Sequence, residues 1–368
     1  MSERIKLIKP CIGFNEVAAD IEEIFESGQF TKGRHVDKFV TGLLNYTKAE
    51  YAFLTTSATT ALTMSLKAIG VKQGDRVAVS DFSWPATCNV VEDLGAVPVF
   101  IDVDKHTYNM CPKDLEARIT DDQGNKVVAV IAVDALGNPS GIIRLKTICE
   151  AHNIPLIQDS ACAIGSTVDG IKVGAIADLT CFSFHPRKLL TTGEGGAVLT
   201  NNADYGNWLN CKLAAGAFGF KGRGLDFIDY GYNYRMSDIQ ALMGWKQLLK
   251  LDQIIAERHD IAKKYRAALE PLGFTSQRVD ANAHHNIQSM IFTVPEGISR
   301  DDVIDYLDEH NIESTLGTYC LSATTYYSKK YNDTRNTSLW LESNTLTLPC
   351  YSSLDVDRVI EVITSFVK

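Results

Sequence analysis

Five short runs, Val77 to Ser80, Val97 to Val103, Val127 to Val133, Pro155 to Asp159 and Ala177 to Phe184, are apolar and β-branched, and several show no polar alternation. A strand that is apolar on both faces must be covered on both faces. Such strands, spaced by helical or loop patterns, imply a largely parallel sheet with helices on either side, an α/β architecture. In sheets of this kind ligands bind beyond the carboxyl ends of the strands. Two of the runs end in acids there, Asp102/Asp104 and Asp159.

The 368 residues suggest two domains. We place a large α/β domain with the N-terminal segment at 1–250 and a smaller C-terminal α+β domain at 251–368. A long amphipathic helix, Leu251 to Leu272, connects them. A strand over Ser289 to Val294, a helix opening at Ser299 and a final helix from Leu354 furnish the second unit. Before the sheet, a helix is expected over 15–28 with Asn15 as cap and Gly28 as stop, and another over Val36 to Tyr46. Residues 216–240, GAFGFKGRGLDFIDYGYNYRMSDIQ, read as an exposed glycine-rich loop carrying Lys221 and Arg223.

Charge and cysteine usage exclude several functions. With 36 basic against 45 acidic side chains the net charge is −9, so no basic surface recommends nucleic-acid binding. The nine cysteines are scattered without a CxxC pair, so no metal site and no disulfide framework is expected. No apolar run reaches the roughly 18 residues of a membrane span, and the first residues lack a signal-peptide pattern, so a cytoplasmic protein with no membrane partner is expected.

The chemistry concentrates in Cys181 to Ala197, CFSFHPRKLLTTGEGGA, which sets Lys188 between two strands beside a glycine-rich turn. Asp159 ends another strand. Thr55 to Thr60 place hydroxyls where a helix begins, and helix N-termini present unpaired N–H groups to anions. Trp84 in DFSWPAT supplies an aromatic, and Ser183 lies two residues before His185. A lysine amine, a carboxylate, an anion cradle and an aromatic are the parts that a pyridoxal 5'-phosphate site requires.

The ordered segments SGQFTKGRHVDKF, SATTAL, DFSWPATCNVV, PLIQDSACAIGS, FSFHPRKLLTTGEGG and GYNYRMSDIQA carry a resemblance over nearly the whole chain. The sequence resembles the DegT/DnrJ/EryC1/StrS family of sugar aminotransferases, fold type I pyridoxal phosphate enzymes with a mostly parallel seven-stranded central sheet. The resemblance implies Lys188 as the Schiff-base lysine, Asp159 as partner of the pyridine nitrogen and Trp84 as the ring-stacking aromatic. It places Ala58, Thr59, Thr60 and Ser183 around the phosphate, and Asn233 at the phosphate of a neighbouring subunit, hence a homodimer with shared active sites. His185, Glu194, Lys221 and Arg223 are candidates for substrate contact.

Where relatives that act as dehydratases have histidine, this chain has Lys188, which favours transamination. The turn TTGEGG implies transfer from an amino acid, usually glutamate, to the fourth carbon of a nucleotide-linked keto-deoxysugar. Departures from the family pattern include Cys162 for the usual Gln or His, Ala58 in SATTAL, Asp134 and Ala135 where His-x-Tyr is common, and GTYCLSATTYY near the substrate. Those departures leave open a smaller ketone, a cyclitol or phosphorylated triose, or a non-catalytic regulatory relative.

Overall fold

The apolar runs assemble as their two-sided hydrophobicity requires. In the computed structural model, which describes residues 3–120 and 124–368, seven strands lie side by side in the order Tyr51–Thr55, Gly196–Thr200, Leu179–Ser183, Leu156–Asp159, Val127–Val133, Arg76–Ser80 and Val97–Ile101. Gly196–Thr200 runs antiparallel to both of its neighbours; the other pairings are parallel. Alternate residues fill two separate cores. Ala78, Val130, Ala132, Leu156 and Phe182 face one helical layer, while Val77, Val79, Ala129, Ile131, Ile157 and Cys181 face the other. This alternation is the physical reason that the runs lack polar positions.

Because six of the seven strands point the same way, the segments after Thr55, Ser80, Val133, Asp159 and Ser183 all emerge at one edge of the sheet, and the turn that precedes Gly196 returns there. That edge holds every residue of the Lys188 constellation that lies in the first 200 positions.

The helix Leu251–Leu269 bridges two cores. Leu251, Ile254 and Ile255 pack under the large sheet, whereas Ala262, Tyr265 and Leu269 pack with Met290, Phe292, Leu346 and Ile363. The second core lies against a four-stranded antiparallel sheet ordered Thr275–Ser276, Met290–Thr293, Thr345–Leu348 and Thr315–Leu316. Ile5 joins this core and pairs with Ile312.

Local details differ from the expectations at three places. Asn15 does not cap a helix: it lies in the short 3-10 turn Phe14–Glu16, where the Glu16 carboxylate accepts the Gly13 amide at 2.8 Å, and the helix proper is Ala18–Ser27, ended by Gly28 at φ 67°. The long helix stops at Leu269 and tightens into a 3-10 turn, Glu270–Leu272, because Pro271 cannot donate to the helical ladder. The glycine-rich loop is a β-hairpin, Ala217–Lys221 with Gly224–Phe227. Its glycines at 219 and 222 adopt φ of 80° and 65°, the first at a register shift in the ladder and the second at the turn. Among the described residues no helix is long and apolar enough to cross a membrane.

Candidate active site

Four neighbouring parallel strands deliver an aspartate to the common edge, and each aspartate has a separate task. Asp81, directly after Arg76–Ser80, accepts the Cys320 thiol at 3.1 Å, the Ser322 amide at 2.7 Å and the Ser322 hydroxyl at 2.8 Å. Asp102 accepts the Thr337 and Ser338 amides at 3.1 and 3.0 Å. These two tie the C-terminal part of the chain to the sheet. Asp134 accepts the Gln158 and Ser160 side chains. Asp159 lies within electrostatic reach of the lysine: its carboxylate accepts the Thr87 hydroxyl at 2.7 Å and the Ala161 amide at 3.2 Å, and the Lys188 charge opposes its protonation.

Burial sets the electrostatics. Loss of water pushes Asp81 up to about 6 and Asp134 up to about 7, and raises Asp159 above the ordinary aspartate value against the pull of Thr87, Ala161 and Lys188. A buried carboxylate in this state is stabilised by any cation or cationic ring placed beside it. His185 moves the other way: burial lowers it, while the Glu194 carboxylate 4.0 Å from Nε2 partly offsets the fall.

Lys188 is held by its backbone on both sides. Gln288 receives the Leu189 amide at 2.7 Å and donates to the Arg187 carbonyl at 2.8 Å. Leu189 and Leu190 are buried behind it. The amine lies 3.0 Å from the Cys162 sulfur. The His185 Nδ1 accepts the Arg187 amide at 3.1 Å, which shapes the turn ahead of the lysine.

The anion cradle forms where the helix Ala58–Ile69 begins. Ser57 Oγ accepts the Thr60 amide at 3.1 Å and Thr60 Oγ1 accepts the Ser57 amide at 3.0 Å, so the Thr60 hydroxyl is committed to a reciprocal cap. The amides of Ala58 and Thr59 are left for a ligand, and Thr59 is exposed. Gly196 presses directly on this turn: a Cβ there would stand 2.5 Å from the Ser57 carbonyl carbon and 2.7 Å from the Ala58 nitrogen. Since Gly196 pairs with Thr55 on one side and Ser183 on the other, the missing side chain brings the cradle and the buried Ser183 hydroxyl together. Gly196→Ala is therefore expected to destabilise the fold by about 1–3 kcal/mol and to weaken phosphate-dependent binding, read by thermal melting and by titration with pyridoxal phosphate against pyridoxal.

Trp84 is 63% exposed beside this edge, with Tyr319 edge-on at 5.8 Å and 62°. Tyr319–Cys320 pairs antiparallel with Phe82–Ser83, so Tyr319 stands on the Ser83 side of the ribbon. Asn233 is exposed between Tyr232 and Tyr234, whose rings stack 5.1 Å apart. Lys221 and Arg223 are at the hairpin turn, exposed, and neither is hydrogen-bonded or ion-paired to the Lys188 cluster within this chain. The structure thus brings Lys188, Asp159, Ser183, His185, Glu194 and the Ala58–Thr60 turn to one edge and sets Trp84 beside them. It leaves Lys221 and Arg223 apart, on the projecting hairpin.

Sequence reasoning missed Thr87 and Ser83. Ser83 ends a two-residue strand and Thr87 lies in the first turn of the helix Ala86–Asp93, and their hydroxyls meet at 2.8 Å. Spacing alone gave no signal for this pair, because Ser83 ends the strand Phe82–Ser83 and only Thr87 lies on the helix. Tyr319 could not be foreseen, because it reaches Trp84 only through a strand pairing between distant parts of the chain.

The residues present fit a pyridoxal phosphate group: a lysine on a clamped backbone, a buried carboxylate within reach of its charge, two free amides in a cradle that a Cβ would fill, and an exposed indole. Such a site on a seven-stranded sheet of this order defines a pyridoxal phosphate-dependent aminotransferase of fold type I. The chain belongs to the DegT/DnrJ/EryC1/StrS aminotransferase family, whose profile matches residues 12–367. It is 31% identical over 379 residues to the spore coat polysaccharide biosynthesis protein SpsC of Bacillus subtilis, covering 98% of this chain and 96% of SpsC. A crystal structure of a DegT DnrJ EryC1 StrS aminotransferase from Brucella abortus superposes with a TM-score of 0.88 at 30% identity, covering 96% of this chain and 95% of that one. Spr1654 of Streptococcus pneumoniae in its PLP form gives 0.90 at 27% identity, with 99% and 98% covered.

Proposed function

We propose that this aminotransferase moves the amino group of glutamate to the fourth carbon of a nucleotide-linked 4-keto-6-deoxyhexose, in the cytoplasm, as a homodimer with shared active sites. The observation that carries amino transfer is a lysine whose flanking backbone is clamped by Gln288 and whose charge acts on a buried Asp159. The sugar class is supported by the likeness to SpsC, named for polysaccharide biosynthesis. The shared sites are supported by Asn233, exposed and with no side-chain hydrogen bond among the described residues, beside a hairpin that presents Phe220 and Phe227 to solvent.

Pyridoxal phosphate, when bound, supplies the electron sink that stabilises a carbanion at the substrate carbon. The chain supplies the rest. Asp159, held by Thr87 and Ala161, fixes a cationic ring nitrogen. The Ala58 and Thr59 amides with Ser183 hold the phosphate. Lys188 Nζ, positioned by the clamped backbone, takes a proton from the substrate carbon as base and gives it up again as acid. The Lys221 and Arg223 cations are assigned to the nucleotide diphosphate of a partner subunit's substrate.

The test is a panel of nucleotide 4-keto sugars and small ketones with L-glutamate, followed by mass spectrometry of the aminated product. Turnover of the keto-sugars is expected, with the amine at the fourth carbon. Turnover confined to a cyclitol or triose ketone would assign the narrower substrate, and protein that stays colourless with added cofactor would assign a regulatory role.

A further inference from the structure

We propose that Asp134 is a positioning residue of the cofactor site, acting by gripping the residues on either side of Asp159. The inference rests on the pairing of Asp159 with the cofactor's ring nitrogen. Along the strand Leu156–Asp159, side chains alternate between faces, so Gln158 points away from the side taken by Asp159. Ser160, one residue beyond the strand, joins Gln158 at the same acceptor. Gln158 Nε2 donates to both Asp134 oxygens, at 3.1 and 2.9 Å, and Ser160 Oγ donates to Oδ2 at 2.6 Å. The Asp134 amide completes the grip by donating to the Asp159 carbonyl at 3.1 Å. All four residues are buried.

The consequence is geometric. The Asp134 carboxylate ties the side chains of both neighbours of Asp159 to one point, and the peptide after Asp159 is held by the Asp134 amide at its carbonyl and by the Cys181 carbonyl at its N–H, so the direction of the Asp159 Cα–Cβ bond is restrained. A charge-assisted bond to a ring nitrogen demands alignment within about 10–20°, and Thr87 and Ala161 hold only the carboxylate end of that side chain.

As a device for stability alone, the cluster is poor. Gln158 Oε1 is buried without a hydrogen-bond partner among the described residues, and a buried carboxylate costs more than an apolar side chain of similar size. Burial also pushes Asp134 up to about 7. A group that is expensive to bury and touches both neighbours of one functional residue is accounted for by its effect on that residue.

The test compares purified wild type with Asp134→Ala, Asp134→Asn, Ser160→Ala and Asp159→Asn for pyridoxal phosphate affinity, the visible absorption band of the bound cofactor and the melting temperature of the cofactor-free protein. Asp134→Ala is expected to bind about tenfold more weakly, with a shifted band. Asp134→Asn is expected to stay within about threefold of wild type, because its oxygen still accepts from Ser160 and its amide pairs with a flipped Gln158. Wild-type affinity and band in Asp134→Ala, whatever its melting temperature, would overturn the proposal. So would an Asn variant as weak as the Ala variant, since that would make the charge rather than the grip responsible. If Asp134→Ala does not fold, Ser160→Ala decides: about threefold weaker binding supports the grip, and unchanged binding refutes it. An Asp159→Asn variant with wild-type affinity and band would instead overturn the Asp159 pairing on which the inference rests.

Discussion

Lys188→Ala abolishes amino transfer while leaving the fold in place. The expected fall in turnover is about 10⁴-fold or more, because both covalent attachment of the cofactor and proton movement at the substrate carbon go through one amine. Borohydride then no longer fixes pyridoxal phosphate to the chain, which peptide mass spectrometry reads directly. The fold is expected to persist, since the bonds that hold this segment come from Gln288 to the Arg187 carbonyl and from the Leu189 amide to Gln288, not from the lysine side chain. The cofactor still finds the Ala58 and Thr59 amides and Asp159, so noncovalent binding survives and separates loss of chemistry from loss of the site. A variant that retains wild-type turnover, or that remains reducible at another lysine, removes Lys188 from its role.

Legibility in the sequence followed the range of the interaction. The central strands were readable because two-sided burial leaves a local mark, the absence of polar alternation in runs such as Val127–Val133. Asp159 and Lys188 were readable because each sits at a strand end in a motif complete within a few residues. The Ala58–Thr60 turn was readable as a helix start, although the sequence did not reveal that the Thr60 hydroxyl is consumed by the cap and that Gly196 presses against it. The hairpin at 217–227 was hidden because its apolar residues face solvent, and Phe220 is 80% exposed, so they show no amphipathic pattern about this chain's own core.

Contacts closed across long stretches of chain were invisible for a different reason. Asp134 and the 318–323 segment stood out only as departures from a familiar pattern. The structure gives both a physical context: Asp134 is bonded to the neighbours of Asp159, and Cys320 and Ser322 are bonded to Asp81, which aligns Tyr319 with Ser83. Neither relation has a local signature, because strand pairing and buried hydrogen bonds depend on which edges the topology brings together. The four strand-end aspartates look alike in sequence and differ only in the donors that reach them.

That difference makes Asp159→Asn the sharpest separation of stability from function. The substituted side chain keeps the shape of the network: its oxygen accepts the Ala161 amide, and the Thr87 hydroxyl can turn to accept from the new amide while donating to Ser83. What disappears is the charge. Without it a cationic ring nitrogen has no counter-ion, so kcat is expected to fall by about 10²- to 10³-fold and cofactor affinity by about tenfold or more. Stability of the cofactor-free protein moves in the opposite direction. Burial holds Asp159 above its ordinary value of 3.8, so the folded state binds a proton that the unfolded chain releases, and wild-type stability declines as pH rises from that value through the folded-state value. The asparagine variant escapes this part of the decline and is expected to melt higher than wild type at neutral pH, measured without cofactor. A variant that loses both activity and melting temperature would show Asp159 to be a structural strut; one that melts higher and fails to transaminate shows a carboxylate buried at a cost in stability because the reaction requires its charge.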